Sequence, residues 1–115
     1  MESITWFAPI LPGKVEAWKE FVEELKGPRK EEYEASFQRN GMNREVASLM
    51  QTPQGDFTCF FQEAESIAKV AENFATSQEP YDVWFREKVN ELHGITPEML
   101  QGSLPATVYL DHRRA

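Results

Sequence analysis

The side chains best suited to chemistry gather between residues 81 and 93. His93 has an ordinary pKa near 6.5, which suits general acid or base work at neutral pH. Arg86 stands seven residues earlier, two turns away on an ideal helix and on the same margin. Its guanidinium could hold a carboxylate or an enolate oxygen. Tyr81, Phe85, Val89 and Leu92 fall at the centre of the helical apolar stripe, with Trp84 at its other margin. This pattern makes His93 and Arg86 the candidate catalytic groups. Trp84, Tyr81 and, from the first strand, Trp6 are the candidate substrate-binding groups. Each also has a plain structural alternative. A histidine in the last turn favours the negative end of its helix. Arg86 can pair with Asp82 four residues back, and both tryptophans can serve as core.

Other chemistries have no residues to work with. Phosphate-cradling, dinucleotide, zinc-protease, dithiol and serine-hydrolase patterns are all missing. One cysteine and two histidines cannot build a Cys/His metal centre, so neither a metal nor a cofactor is expected. Cys59 sits mid-strand among aromatics with no basic neighbour, and is expected to be buried and inert. The 115 residues carry a formal charge of -7, which repels phosphate backbones and anionic lipid. Neither nucleic acid nor a membrane surface is an expected partner. The acidic start, with no basic residue before Lys14, lacks the pattern of a secretory signal. A cytoplasmic location is the expectation.

These side chains must be positioned by a short run of elements. Ile4 to Ile10 reads as a strand, ended by Leu11-Pro12-Gly13. Val15, Trp18, Val22 and Leu25 then recur at helical spacing up to the Gly27-Pro28 stop. A second helical piece follows from Arg29 to Gln38, closed by Asn40-Gly41. Arg44–Gln51 and Asp56–Gln62 flank Pro53 and Gly55 and predict an antiparallel hairpin. Ala64, Ile67, Ala71 and Phe74 mark a third helix. Pro80 opens a fourth that runs to His93 and stops at Gly94. Ala106–Leu110 has the composition of a last strand.

The order predicts one α+β domain over residues 1–115. It is a ferredoxin-like βαββαβ arrangement with split helices, its four-stranded antiparallel sheet covered by helices on one face. Alternation places bulky apolar side chains on both faces of the strands, so the open face would expose a set such as Phe7, Phe60 and Tyr109. A homodimer through that face, removing roughly 1,600 Å² from water, is the economical solution.

At this level the chain resembles the dimeric α/β-barrel superfamily, which includes cofactor-free monooxygenases, muconolactone-isomerase-like proteins and haem-degrading enzymes. The stretch Glu79 to Gly94 is similar to segments of uncharacterised bacterial members. The resemblance implies two packed sheets with a cavity between sheet and helices. The haem-degrading branch would require an Asn on the first strand beside a Trp and a His from the later helix. Trp84 and His93 are present, but only Ser3 and Thr5 are polar on the first strand. Nine residues of helix also turn Trp84 and His93 about 180° apart, so haem chemistry is not expected.

Two readings of function follow. One is a monooxygenase- or isomerase-like enzyme acting without cofactor on a small apolar or aromatic substrate. The other is a non-catalytic module that binds a small hydrophobic molecule or only self-associates.

Overall fold

A computed structural model of the chain describes residues 1–101 and 104–114. The chain runs β1 (Glu2–Pro9), α1 (Val15–Lys26), α2 (Lys30–Asn40), β2 (Met42–Thr52), β3 (Gly55–Ala64), α3 (Ile67–Thr76) and α4 (Pro80–His93). A single 3-10 turn follows at Pro97–Leu100. Local chemistry accounts for the boundaries. Gly41 ends α2 at φ 65° and Gly94 ends α4 at φ 70°, a left-handed conformation that glycine adopts without a Cβ clash. Ser66 caps α3 by accepting the Lys69 N–H, and Pro80 occupies the first turn of α4, where no N–H is needed. Pro53 and Gln54 turn the β2–β3 hairpin, and the Thr52 hydroxyl donates to the Gly55 carbonyl at 2.8 Å.

The sheet has three antiparallel strands in the order β1-β3-β2. The expected four-stranded ferredoxin-like sheet, and the dimeric barrel built on it, are therefore corrected. Ala106–Leu110 does not form a strand. Leu100 and Leu104 are drawn into the core beside Ile4, Trp6 and Ala8. The chain beyond then passes over the outer face of the sheet, where Arg113 approaches Glu63 at 3.7 Å. A gap of about 430 Å³ separates this tail from Ser3, Thr5 and Phe61. A five-residue run of strand composition becomes a strand only against a ladder partner, and β1 pairs only with β3.

The register decides which side chains share a face. Trp6 stands opposite Phe60, and Phe7 opposite Cys59. The inner face carries Ile4, Trp6, Ala8, Thr58, Phe60, Gln62 and Ala64, and the helices cover it. The outer face carries Phe7, Phe57, Cys59, Phe61, Val46 and Met50. Phe60 thus belongs with Trp6 inside, not with Phe7 outside. Cys59 is half-buried on the outer face with its Sγ 3.9 Å from Met50 Sδ, not buried in the interior as expected.

Two apolar clusters hold the helices to the sheet. One joins Ile4, Trp6 and Ala8 to Ala71, Ile95, Leu100 and Leu104. The other joins Ile10 to Trp18, Phe21 and Leu92. Among the described residues no helix is long and apolar enough to cross a membrane.

Candidate functional site

Beside the first cluster, at the level of Ile4, the inner face of the sheet is polar. Glu45 on β2 stands beside Gln62 on β3. A strand alternates its side chains, so Glu45 must point the same way as Ala47 and Leu49. The residues form one hydrogen-bonded row. Trp6 Nε1 donates to Gln62 Oε1 at 2.8 Å. Gln62 Nε2 donates to Glu45 Oε2 at 2.7 Å. From α2, the Tyr33 hydroxyl donates to Glu45 Oε1 at 2.7 Å. Burial, with the Glu45 carboxylate beside it, pushes the Tyr33 phenol far above its ordinary range, so it remains a donor at any physiological pH.

Three adjoining hollows share Glu45 and Phe85 in their walls. The first, about 80 Å³, lies under α2, α3 and α4 and is lined by Tyr33, Phe37, Asn73, Phe74 and Tyr81. The second, about 60 Å³, continues to Trp6, Phe60 and Leu104. The third, about 280 Å³, lies by α1 and β2 and is lined by Trp18, Phe21, Ala47 and His93. Ala47 is exposed on the edge strand β2, so this third hollow is the mouth.

Tyr81 is 6% exposed, and its hydroxyl has no hydrogen-bond partner among the described residues. Burial, then the nearby carboxylates of Glu45 and Asp82, push its phenol upward. Its neighbour Asp82 is fully engaged. Asp82 accepts from Arg39 Nη2 at 2.6 Å, from Arg39 Nε at 3.3 Å and from Ser77 Oγ at 2.7 Å, which ties α2, α4 and the end of α3 together.

The expected site residues divide. Trp6, Tyr81 and His93 line the hollows. Trp6 does so while stacked on Phe60, with ring centroids 4.5 Å apart. Arg86 and Trp84 lie elsewhere. Arg86 Nη1 donates to the Phe74 carbonyl at 2.8 Å near the C-terminal end of α3. Trp84 packs between Phe21 and Tyr81 under the guanidinium of Arg29, 3.8 Å from the ring centroid. Glu45, Gln62 and Tyr33 were not singled out from sequence. For Glu45 and Gln62 the signal there is a polar residue at an inward strand position, visible once the register is known; Tyr33 lies on α2, where its type reads equally as packing.

His93 Nδ1 stands 2.8 Å from the Pro9 carbonyl. A carbonyl can only accept, so Nδ1 carries the proton and Nε2 keeps a lone pair in the neutral ring. Burial lowers the His93 pKa, with the Pro9 hydrogen bond opposing in part. A lowered folded pKa means the unfolded chain takes up the proton first. Stability is therefore complete above about pH 6.5 and declines as pH falls through and below that value. The expected result is that the wild type loses more stability than His93→Asn between pH 7.5 and 5.5 in urea titrations. The second histidine, the exposed His112, is common to both proteins. Equal losses would contradict the assignment.

No curated protein and no solved structure matches the chain. A family model does match, over residues 1–112, and its extent takes in the whole hydrogen-bonded row, the three hollows and the tail as far as His112. The chain therefore belongs to this family of unknown function (DUF6176).

Proposed function

We propose that the chain binds a small, largely apolar molecule in the hollows between the sheet and α2, α3 and α4. The observation that carries this reading is the buried, unpartnered Tyr81 hydroxyl at the wall of a hollow. A buried polar group without a partner costs about 1–3 kcal/mol, and a ligand atom would remove that cost. The two smaller hollows, about 80 and 60 Å³, together approach the ~150 Å³ that accommodates benzene in an engineered apolar cavity, and the third adds room.

Tyr81→Phe tests the role. It removes the orphaned hydroxyl without changing the ring, so the free protein should gain about 1 kcal/mol of stability. Binding of a small aromatic probe, followed by ligand-observed NMR, should weaken about tenfold. A variant that lost stability and bound the probe unchanged would mean that the hydroxyl serves only the fold, through a trapped water.

A catalytic version rests on a second observation. Glu45 and His93, whose Nε2 keeps its lone pair, both line the mouth. Two proton-accepting groups facing one apolar space suit isomerase- or monooxygenase-like proton removal from a small substrate. His93→Asn should then abolish turnover and preserve binding.

A second copy of the chain is the proposed partner. The outer sheet face presents Phe7 at 59% exposure, with Val46 and the tail residues Tyr109 and Leu110 also exposed. An apolar patch of this kind on a small domain marks an association surface. Sedimentation at micromolar concentration should give twice 13.3 kDa for the wild type and 13.3 kDa for Phe7→Glu. A wild type that sediments as a single chain would remove the dimer and leave the ligand reading intact.

A further inference from the structure

The charged side chains that line the first two hollows are carboxylates, Glu45 and the paired Asp82, while Lys26 lines the mouth. Both oxygens of Glu45 accept from neutral donors, Tyr33 and Gln62. Each keeps a further lone pair. Among the described residues, no basic group pairs with Glu45 within 4 Å. The nearby cations are committed elsewhere. Arg39 is held by Asp82, Lys26 at the mouth by Glu23 at 2.8 Å, and Arg29 by Glu24 and Glu32 while it covers Trp84. Arg86 is spent on the Phe74 carbonyl.

The space beside Glu45 is walled by the rings of Tyr33, Phe37, Phe74, Tyr81 and Phe85. A negative charge shielded from water attracts a cation more strongly than it would in solution. Aromatic faces add to that attraction. An anion meets Glu45 with no compensating cation, and a neutral molecule leaves the carboxylate unbalanced. The unpartnered Tyr81 hydroxyl adds an acceptor oxygen on the same wall.

Resting on the small-molecule reading above, we propose that the ligand is a small organic amine bound as its ammonium. Its N–H groups are held by Glu45 and by the Tyr81 oxygen, and its apolar body lies among the rings. The same balance disfavours carboxylate substrates, because among the described residues no guanidinium lines the three hollows.

Three molecules of one shape separate the possibilities: benzylamine, benzyl alcohol and benzoate, each titrated into the full chain at pH 7.5 by NMR or calorimetry. Benzylamine should bind at least tenfold more tightly than benzyl alcohol, and benzoate should not bind. Glu45→Gln preserves an acceptor for Tyr33, and should erase the preference for amine while retaining the alcohol. The comparison on the wild type needs no variant, so a misfolded mutant cannot obscure it. Equal binding of amine and alcohol, or a preference that survives Glu45→Gln, would overturn the amine assignment and leave the hollow as a binding site. Failure of all three to bind, with a Tyr81→Phe protein no more stable than wild type, would overturn the binding reading itself.

Discussion

Leu92→Ala is expected to lower the free energy of unfolding by about 2–5 kcal/mol. Leu92 is 1% exposed and is the largest of the fully buried apolar side chains. It packs with Ile10, Trp18 and Phe21, so one side chain joins the end of β1, α1 and the last turn of α4. Its carbonyl also accepts the Leu11 N–H at 2.8 Å, which holds the backbone in place and limits how far the site can collapse around a void. Small domains are stable by only about 5–15 kcal/mol, so this one truncation removes a large share of the total. Urea unfolding should show a lower midpoint at unchanged slope. Glu91→Ala, next along the chain but exposed, should stay within about 0.5 kcal/mol of wild type. A Leu92→Ala loss no larger than that of Glu91→Ala would contradict the packing.

Trp6→Ala is expected to cost about 3–5 kcal/mol, and Trp6→Phe about 1–3 kcal/mol. The two variants separate what the side chain does. Trp6→Ala removes the ring stacked on Phe60 and opens space toward Leu100 and Leu104. Trp6→Phe keeps an aromatic ring there but deletes the indole N–H, leaving the Oε1 of buried Gln62 without its donor. Gln62 is then free to turn its amide away from Glu45, so Trp6→Phe should weaken amine binding even though the Trp6 N–H is given to Gln62 and not to Glu45. Thermal unfolding combined with benzylamine titration measures both effects. A Trp6→Phe protein as stable as wild type, with unchanged binding, would show that the row of hydrogen bonds is not energetically connected.

Arg86 shows how far residue type can mislead. On a helical wheel it shares a margin with His93, and a marginal arginine beside a cavity suits the holding of an anion. Its side chain reaches instead to the Phe74 carbonyl, an end-of-helix acceptor that needs a donor. The pairing with Asp82 that its spacing suggested does not form, because Asp82 is occupied by Arg39 from α2 and by Ser77. Sequence spacing lists the partners available within one helix. It says nothing of a competitor 43 residues away that offers two N–H groups at once.

The elements themselves were written into the chain. β1, the hairpin, the split helices and the stops at Gly41 and Gly94 follow from patterns a few residues long. Period 2 and period 3.6, proline at a first turn and glycine at a left-handed end are local energies, and they hold whatever the rest of the protein does. Tyr81 and Trp6 as cavity residues were legible for the same reason, since an aromatic on an inward face must meet whatever space lies inside.

Partnership across the sheet was decided only in three dimensions. Pairing Trp6 with Phe60 rather than with Cys59 moves every side chain of β3 to the other face. That choice alone brings Gln62 and, through it, Glu45 to the interior. The run Ala106–Leu110 has strand composition but no ladder, because Leu100 and Leu104 are buried first and the chain leaves on the far side of the sheet. Local preference is a matter of tenths of a kilocalorie per residue, whereas burying one leucine is worth about 1.5–3 kcal/mol. Where the two compete, the tertiary packing prevails.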